Sequence, residues 1–148
     1  MQTTLEVTVL LETALTPEAL WRAWTDPAIL PLWLAPPPYD MVAAEVATRP
    51  GGVYRHDIVG PDGTHSVVGT FLHFEPTRHL RKSWRYSGPN PAPRVEPTFV
   101  DITIERNESG KTLLTLVHSG LRDERERAHY GDGWPECFKR LEALNTNT

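Results

Sequence analysis

Polar and apolar residues alternate along most of this chain, and the alternation changes period in only a few places. Leu5, Val7, Val9 and Leu11 alternate with Glu6, Thr8 and Glu12, the pattern of a strand with one buried face. Thr16-Pro17-Glu18 reads as a helix start: a hydroxyl cap, proline at the first helical position, and an acid near the positive end of the dipole. Leu20, Trp21 and Trp24 supply its apolar stripe. Asp26-Pro27 repeats the grammar and predicts a second short helix carrying Ile29, Leu30 and Trp33, which Pro31 shortens or bends. After Pro36-Pro37-Pro38 the period becomes that of strands: Asp40 to Thr48, Val53 to Val59, Thr64 to Phe74, His79 to Tyr86, Phe99 to Glu105 and Leu113 to Ser119. Gly60-Pro61-Asp62-Gly63 is a strong hairpin signal between the second and third of these. A charged stretch follows Gly120, and Tyr130, Trp134, Phe138 and Leu141 then recur at helical spacing. The order is one strand, two short helices, about six antiparallel strands and one long helix, an α+β fold.

With 148 residues and no internal repeat or linker-like tract, one domain over 1–148 is expected. Most of the fourteen prolines cluster in connections, among them Pro89, Pro91, Pro93 and Pro97. A net charge of −4 is the wrong sign for a nucleic-acid partner. No apolar run approaches a membrane span, and Met1-Gln2-Thr3-Thr4 lacks the basic and apolar regions of a signal peptide. Cys137 stands alone, which excludes an internal disulfide and a thiolate metal cluster. The cytoplasm is the expected compartment.

Three stretches together carry a family resemblance. They are Thr16-Pro17-Glu18 through Trp21-Arg22-Ala23-Trp24-Thr25-Asp26-Pro27 to Trp33; Pro50-Gly51-Gly52-Val53-Tyr54; and Thr112 through His118-Ser119-Gly120, with Gly133-Trp134 beyond. In order and spacing they resemble the START-like (SRPBCC, helix-grip) superfamily, specifically the bacterial homologues of the activator of heat-shock protein 90 ATPase. The resemblance implies a curved seven-stranded antiparallel sheet gripping the long C-terminal helix over an apolar cavity. Two positions depart from the pattern. Pro135 falls where the family helix runs unbroken, which predicts a kink or a late helix start. Lys82 stands at a strand position usually aromatic or aliphatic.

The hairpin assigns faces without the family. Pairing Gly60 with Thr64 sets Tyr54 opposite Thr70, His56 opposite Val68 and Ile58 opposite Ser66. That face continues through Leu72 and Phe74 and is the more apolar. Arg55, Asp57, His65 and His73 fall on the wet side, so His56 is expected inside and His65 outside. A one-residue slip inverts these assignments. Leu80, Lys82, Trp84 and Tyr86 share a parity, as do Leu114, Leu116 and His118. The expected ligand-binding set is therefore Tyr54, His56, Lys82, Trp84 and His118 on the sheet, with Trp33, Tyr130, Trp134 and Phe138 as the lid.

His118 is the first candidate for a proton carrier, since imidazole titrates near neutrality. No nearby carboxylate in the sequence orients it, which favours a structural histidine at a strand end. The histidines lie on different faces and elements, so no metal site is expected, and no motif implies a cofactor. Lys82 either snorkels outward, pairs with an acid, or meets an anionic ligand such as a carboxylate, with a reactive amine as the further reading. Cys137 reads as a small buried hydrophobe. The function these features favour is a binding protein for a small hydrophobic or aromatic molecule, with no membrane or nucleic-acid partner; a homodimer is compatible with the sequence. An enzyme of the cyclase or dehydratase type, with His118 or His56 as acid–base, is the alternative. A chaperone-interaction module, suggested by the family name, is disfavoured because the chain offers only the one helix-grip unit.

Overall fold

The structure, a computed structural model, describes residues 5–89 and 96–144. The loop prolines Pro91 and Pro93 lie outside the described residues. The first strand, β1 (Leu5–Thr13), leads to α1 (Pro17–Thr25), whose N-cap Thr16 accepts a hydrogen bond from the Ala19 amide at 3.1 Å. The expected second helix is a single 3-10 turn, Leu30–Leu32. Asp26 starts it as anticipated, its carboxylate accepting from the Ala28 amide at 2.8 Å. It cannot lengthen, because the Pro31 ring has no N–H to offer and would crowd the carbonyl of Pro27, four residues earlier.

Six more strands follow: β2 (Asp40–Val46), β3 (Val53–Gly60), β4 (Gly63–Glu75), β5 (His79–Ser87), β6 (Thr98–Arg106) and β7 (Thr112–Leu121). With β1 they form one seven-stranded antiparallel sheet in the order β1-β7-β6-β5-β4-β3-β2. The sheet is a meander from β2 to β7, and β1 closes beside the last strand.

The β3–β4 hairpin corrects the expected register by one residue. Gly60 pairs with Gly63, not Thr64, so Pro61 and Asp62 alone make the turn, with Gly63 at φ +121°. Tyr54 thus lies opposite Gly69, His56 opposite Val67 and Ile58 opposite His65. Tyr54 and His56 remain on the buried face, but on β4 the faces are inverted: His65, Val67 and Phe71 point inward and Leu72 is exposed. His65 is therefore buried, where the longer turn had put it in water. A bulge between Phe71 and His73 restores parity, so Phe74 still packs against the core as expected.

The last helix, α2 (Glu124–Ala143), begins in the charged stretch and runs through Pro135. The late start does not occur. Asp123 caps the helix by accepting from the Glu126 amide at 2.9 Å, and the buried Glu126 carboxylate accepts from the Arg122 amide at 2.8 Å. This reciprocal arrangement satisfies end groups that would otherwise wait until after the proline. Pro135 leaves the Gly131 carbonyl without its helical donor, within a turn that also contains Gly133.

The core lies between the inner sheet face, α2 and the α1 segment. Trp24 is its centre, with ring centroids 4.7 Å from Trp33, 5.8 Å from Trp134 and 6.5 Å from Phe138. Trp33 is fully buried, and its indole N–H donates to the Ala23 carbonyl at 2.9 Å, so it belongs to the core and not to a pocket rim.

Sheet packing is closest at Gly69, opposite Tyr54. A Cβ there would land on the Ser83 carbonyl oxygen and the edge of the Tyr54 ring. Gly69→Ala is predicted to destabilise the fold by roughly 1–3 kcal/mol through overpacking, read as a lower urea midpoint. A variant as stable as the parent would contradict the β3–β4–β5 register.

Candidate functional site

A cavity of about 640 Å³ lies between the inner faces of β3, β4 and β5 on one side and α2 with the Leu34–Tyr39 segment on the other. Its walls are Leu34, Ile58, Val67, Trp84, Tyr130 and Trp134. The Trp84 indole donates to the Tyr130 hydroxyl at 3.1 Å, which ties sheet to helix across the wall. Of the nine residues expected to bind ligand, Trp84, Tyr130 and Trp134 are on the wall. Trp33, Tyr54, His56, Lys82, His118 and Phe138 are buried behind it, in the core. Parity places a side chain on a face, but the depth of neighbouring rings decides whether it reaches a surface.

His118 is wholly buried and is held by a chain of hydrogen bonds. Its Nδ1 accepts from the Trp134 indole at 3.1 Å, and its Nε2 lies 2.7 Å from Thr98 Oγ1, whose proton goes to the Trp84 carbonyl at 3.2 Å. These partners require a neutral imidazole with its proton on Nε2. The residue binds α2 to β6 and β7 and is structural.

Lys82 does not snorkel. Only 1% of it is exposed, and its ammonium lies 4.7 Å from the ring centre of Tyr54, 5.2 Å from Trp24 and 5.4 Å from Trp84. Burial pushes the amine down to about 7, while three ring faces favour the charged form in the opposite sense. His56 packs against Tyr54 and Trp84, and desolvation first, then the neighbouring Lys82, holds its pKa well below the usual histidine value. Among the described residues, His56 Nδ1 and Trp24 Nε1 have no hydrogen-bond partner. This part of the core carries a polar cost that packing must offset.

The polar end of the cavity was not legible as a site. His65 Nε2 lies 2.8 Å from Asp62 Oδ1, and its Nδ1 lies 2.5 Å from the Tyr86 hydroxyl. Tyr39 donates to the other Asp62 oxygen at 3.1 Å. The His65 hydrogen bond, ahead of the other influences, lowers the Asp62 pKa, so the carboxylate accepts and Nε2 carries a proton. With Nε2 donating to Asp62, Nδ1 is the ring nitrogen placed to accept from the Tyr86 hydroxyl. Arg122, just before α2, and Arg125, Glu126 and His129 on it also line the cavity. One signal was in the sequence: with a two-residue turn, Asp62 and His65 are three apart around a tight corner, close enough to bond. Two glycines make the space. A Cβ at Gly60 would strike the Tyr39 ring, and one at Gly88 would strike the Tyr86 hydroxyl and His65 Nδ1. Cys137 also reaches the cavity wall, but burial raises its thiol to about 12, which leaves it protonated and inert. Among the described residues, no group of three or more His, Cys, Asp or Glu side chains is placed to hold a metal ion, and no helix is long and apolar enough to cross a membrane.

A seven-stranded sheet curled over a long terminal helix, with a cavity between them, is the helix-grip architecture. Residues 14–145 match the family model described as activator of Hsp90 ATPase homolog 1-like protein, and the chain belongs to that family. Solved structures share the fold. A Nitrosomonas europaea protein superimposes with TM-score 0.80 at 24% identity, covering 97% of this chain and 95% of its own. The AHSA1 protein of Silicibacter pomeroyi gives 0.81 at 22%, covering 96% and 98%. DynU16, from the dynemicin biosynthetic locus, gives 0.75 at 23%, covering 97% of this chain and 48% of its own. No curated protein matches.

Two variants probe the buried polar groups. His118→Leu leaves the buried Trp134 indole N–H without its acceptor, and is predicted to cost about 1–3 kcal/mol in denaturant melts. For Lys82, the folded pKa near 7 lies below the unfolded 10.5, so between them the unfolded chain binds more protons and stability rises with pH. From pH 7 to 8.5 the parent is predicted to gain about 1–2 kcal/mol over Lys82→Met. The methionine variant is predicted to be the more stable at pH 7 and below; parallel pH profiles for the two proteins would contradict the buried amine.

Proposed function

We propose that the chain binds a small, mainly apolar or aromatic molecule in the cavity between the sheet and α2. The observation that carries this reading is the chemistry of the cavity: about 640 Å³ walled by aliphatic and aromatic side chains, with Tyr39, Asp62, His65 and Tyr86 joined by hydrogen bonds as a polar cluster in its lining. A ligand with an aromatic body and one polar substituent matches that division. The origin of DynU16 in a biosynthetic locus is compatible with a cavity for a small molecule. On this reading the chain is one helix-grip domain acting in the cytoplasm, with the ligand as its partner and no nucleic acid.

Gly133 gives a direct test. It lines the cavity from α2, and a Cβ there would meet nothing closer than Pro36 at 3.9 Å. Gly133→Leu is predicted to fill the cavity while keeping or raising the melting temperature, since leucine also favours the helix by up to about 1 kcal/mol. An anilinonaphthalene sulfonate dye should bind the parent and quench its tryptophans, and bind Gly133→Leu at least about ten-fold more weakly, a difference of about 1.4 kcal/mol. Equal dye binding by the two proteins would place the ligand elsewhere.

A further inference from the structure

We propose that Asp62, His65 and Tyr86 form a proton relay acting on the molecule bound in the cavity, and that this molecule is an aromatic carbonyl compound with an acidic C–H beside its carbonyl group. The proposal rests on the cavity reading above and adds a reaction to it.

The geometry has the three parts a relay needs. Tyr86 lines the cavity, and its hydroxyl meets His65 Nδ1 at 2.5 Å. The other ring nitrogen, Nε2, is held by Asp62 at 2.8 Å, and Asp62 is itself held by Tyr39 at 3.1 Å. His65 is buried against the Tyr39 ring, edge to face at 5.2 Å, so the imidazole cannot swing away from either partner. Gly88 supports the same arrangement, since any side chain there would occupy the space where Tyr86 and His65 meet.

The step balances within the site. The tyrosyl oxygen takes the proton from the ligand carbon as the tyrosyl O–H proton passes to His65 Nδ1. The C–H bond breaks, its electron pair becomes the enolate, and an O–H bond and an N–H bond form. The resulting imidazolium donates to the Asp62 carboxylate, which stabilises the charge without being protonated. Arg125, which also lines the cavity, is the cation assigned to the enolate oxygen. Reversal returns a proton to carbon and restores the relay, so no oxidant, reductant or second substrate is consumed. The apolar walls at Trp84 and Trp134 suit the aromatic body, and the acidic carbon would lie at the polar end. Asp62 touches only His65 and Tyr39 in this scheme and is a positioning residue.

The test uses 2-tetralone, a bicyclic aromatic ketone, with the full chain in deuterated buffer at neutral pH. NMR follows replacement of the C1 protons by deuterium, and tryptophan quenching measures binding in the same samples. The parent should bind the ketone and accelerate exchange over buffer with saturation. Tyr86→Phe and His65→Gln should lower the exchange rate of the bound ketone by about 10²-fold or more while binding changes only a few-fold. Asp62→Asn, which keeps a hydrogen-bonding oxygen but not the charge, should fall between. Tyr86→Phe is near-isosteric, and its melting curve separates loss of the relay from loss of the fold. If 2-tetralone binds but exchanges no faster than in buffer, or if Tyr86→Phe exchanges as fast as the parent, the relay is wrong and the cavity reading stands. If 2-tetralone fails to bind while the dye binds, the ligand class is wrong; if neither binds, the cavity reading falls with it.

Discussion

The position of α2 over the sheet depends on Trp134. Its ring packs into the cluster of Trp24, Trp84 and Phe138, and its indole N–H is taken up by His118 on β7. Stacking area alone would let a helix slide along its axis, because apolar contact is not directional. The hydrogen bond supplies the missing constraint. It is anchored in turn through Thr98 to the Trp84 carbonyl, so the helix is registered against three strands at once. The cavity is the space this registration leaves beyond the Trp134 and Trp84 rings. Moving the helix by one turn would either fill it or open it to solvent.

The same arrangement explains why the interior separates into a dry core and a cavity. Trp84 and Trp134 form a partition. Behind it, Lys82, His56 and Tyr54 are enclosed by rings; in front of it, Val67, Ile58 and Leu34 face the void. A lysine in the core is costly unless something offsets its desolvation, and three ring faces around the ammonium do so in part.

At the polar end the controlling feature is the two-residue turn. Because only Pro61 and Asp62 separate the strands, β4 enters with His65 facing inward, and the Asp62 carboxylate comes back over the imidazole. A three-residue turn would point His65 to water and leave Asp62 with nothing to orient. Cavity chemistry and hairpin length are thus one property of the chain. The histidine with an oriented ring is His65, whereas His118, the more prominent one in the sequence, is consumed by structure.

The order of elements, the buried faces of β1 and β3, the cap of α1 and the aromatic stripe of α2 were determined by the sequence alone. Each follows from a local period or a local hydrogen bond, and both are read within a few residues. The family was legible for the same reason, since its motifs sit at turns and helix starts. Tertiary structure decided the rest. Whether Gly60 meets Gly63 or Thr64 depends on a single turn, yet it inverts every side chain on the first half of β4. Whether Pro135 interrupts α2 depends on the packing of Trp134 and Phe138 on either side of it, which outweighs one lost backbone hydrogen bond. Which inward residues reach the cavity depends on how far Trp84 and Trp134 extend across the interior. Periodicity fixes direction from the chain axis but not depth, and depth is set by side chains that are distant in sequence.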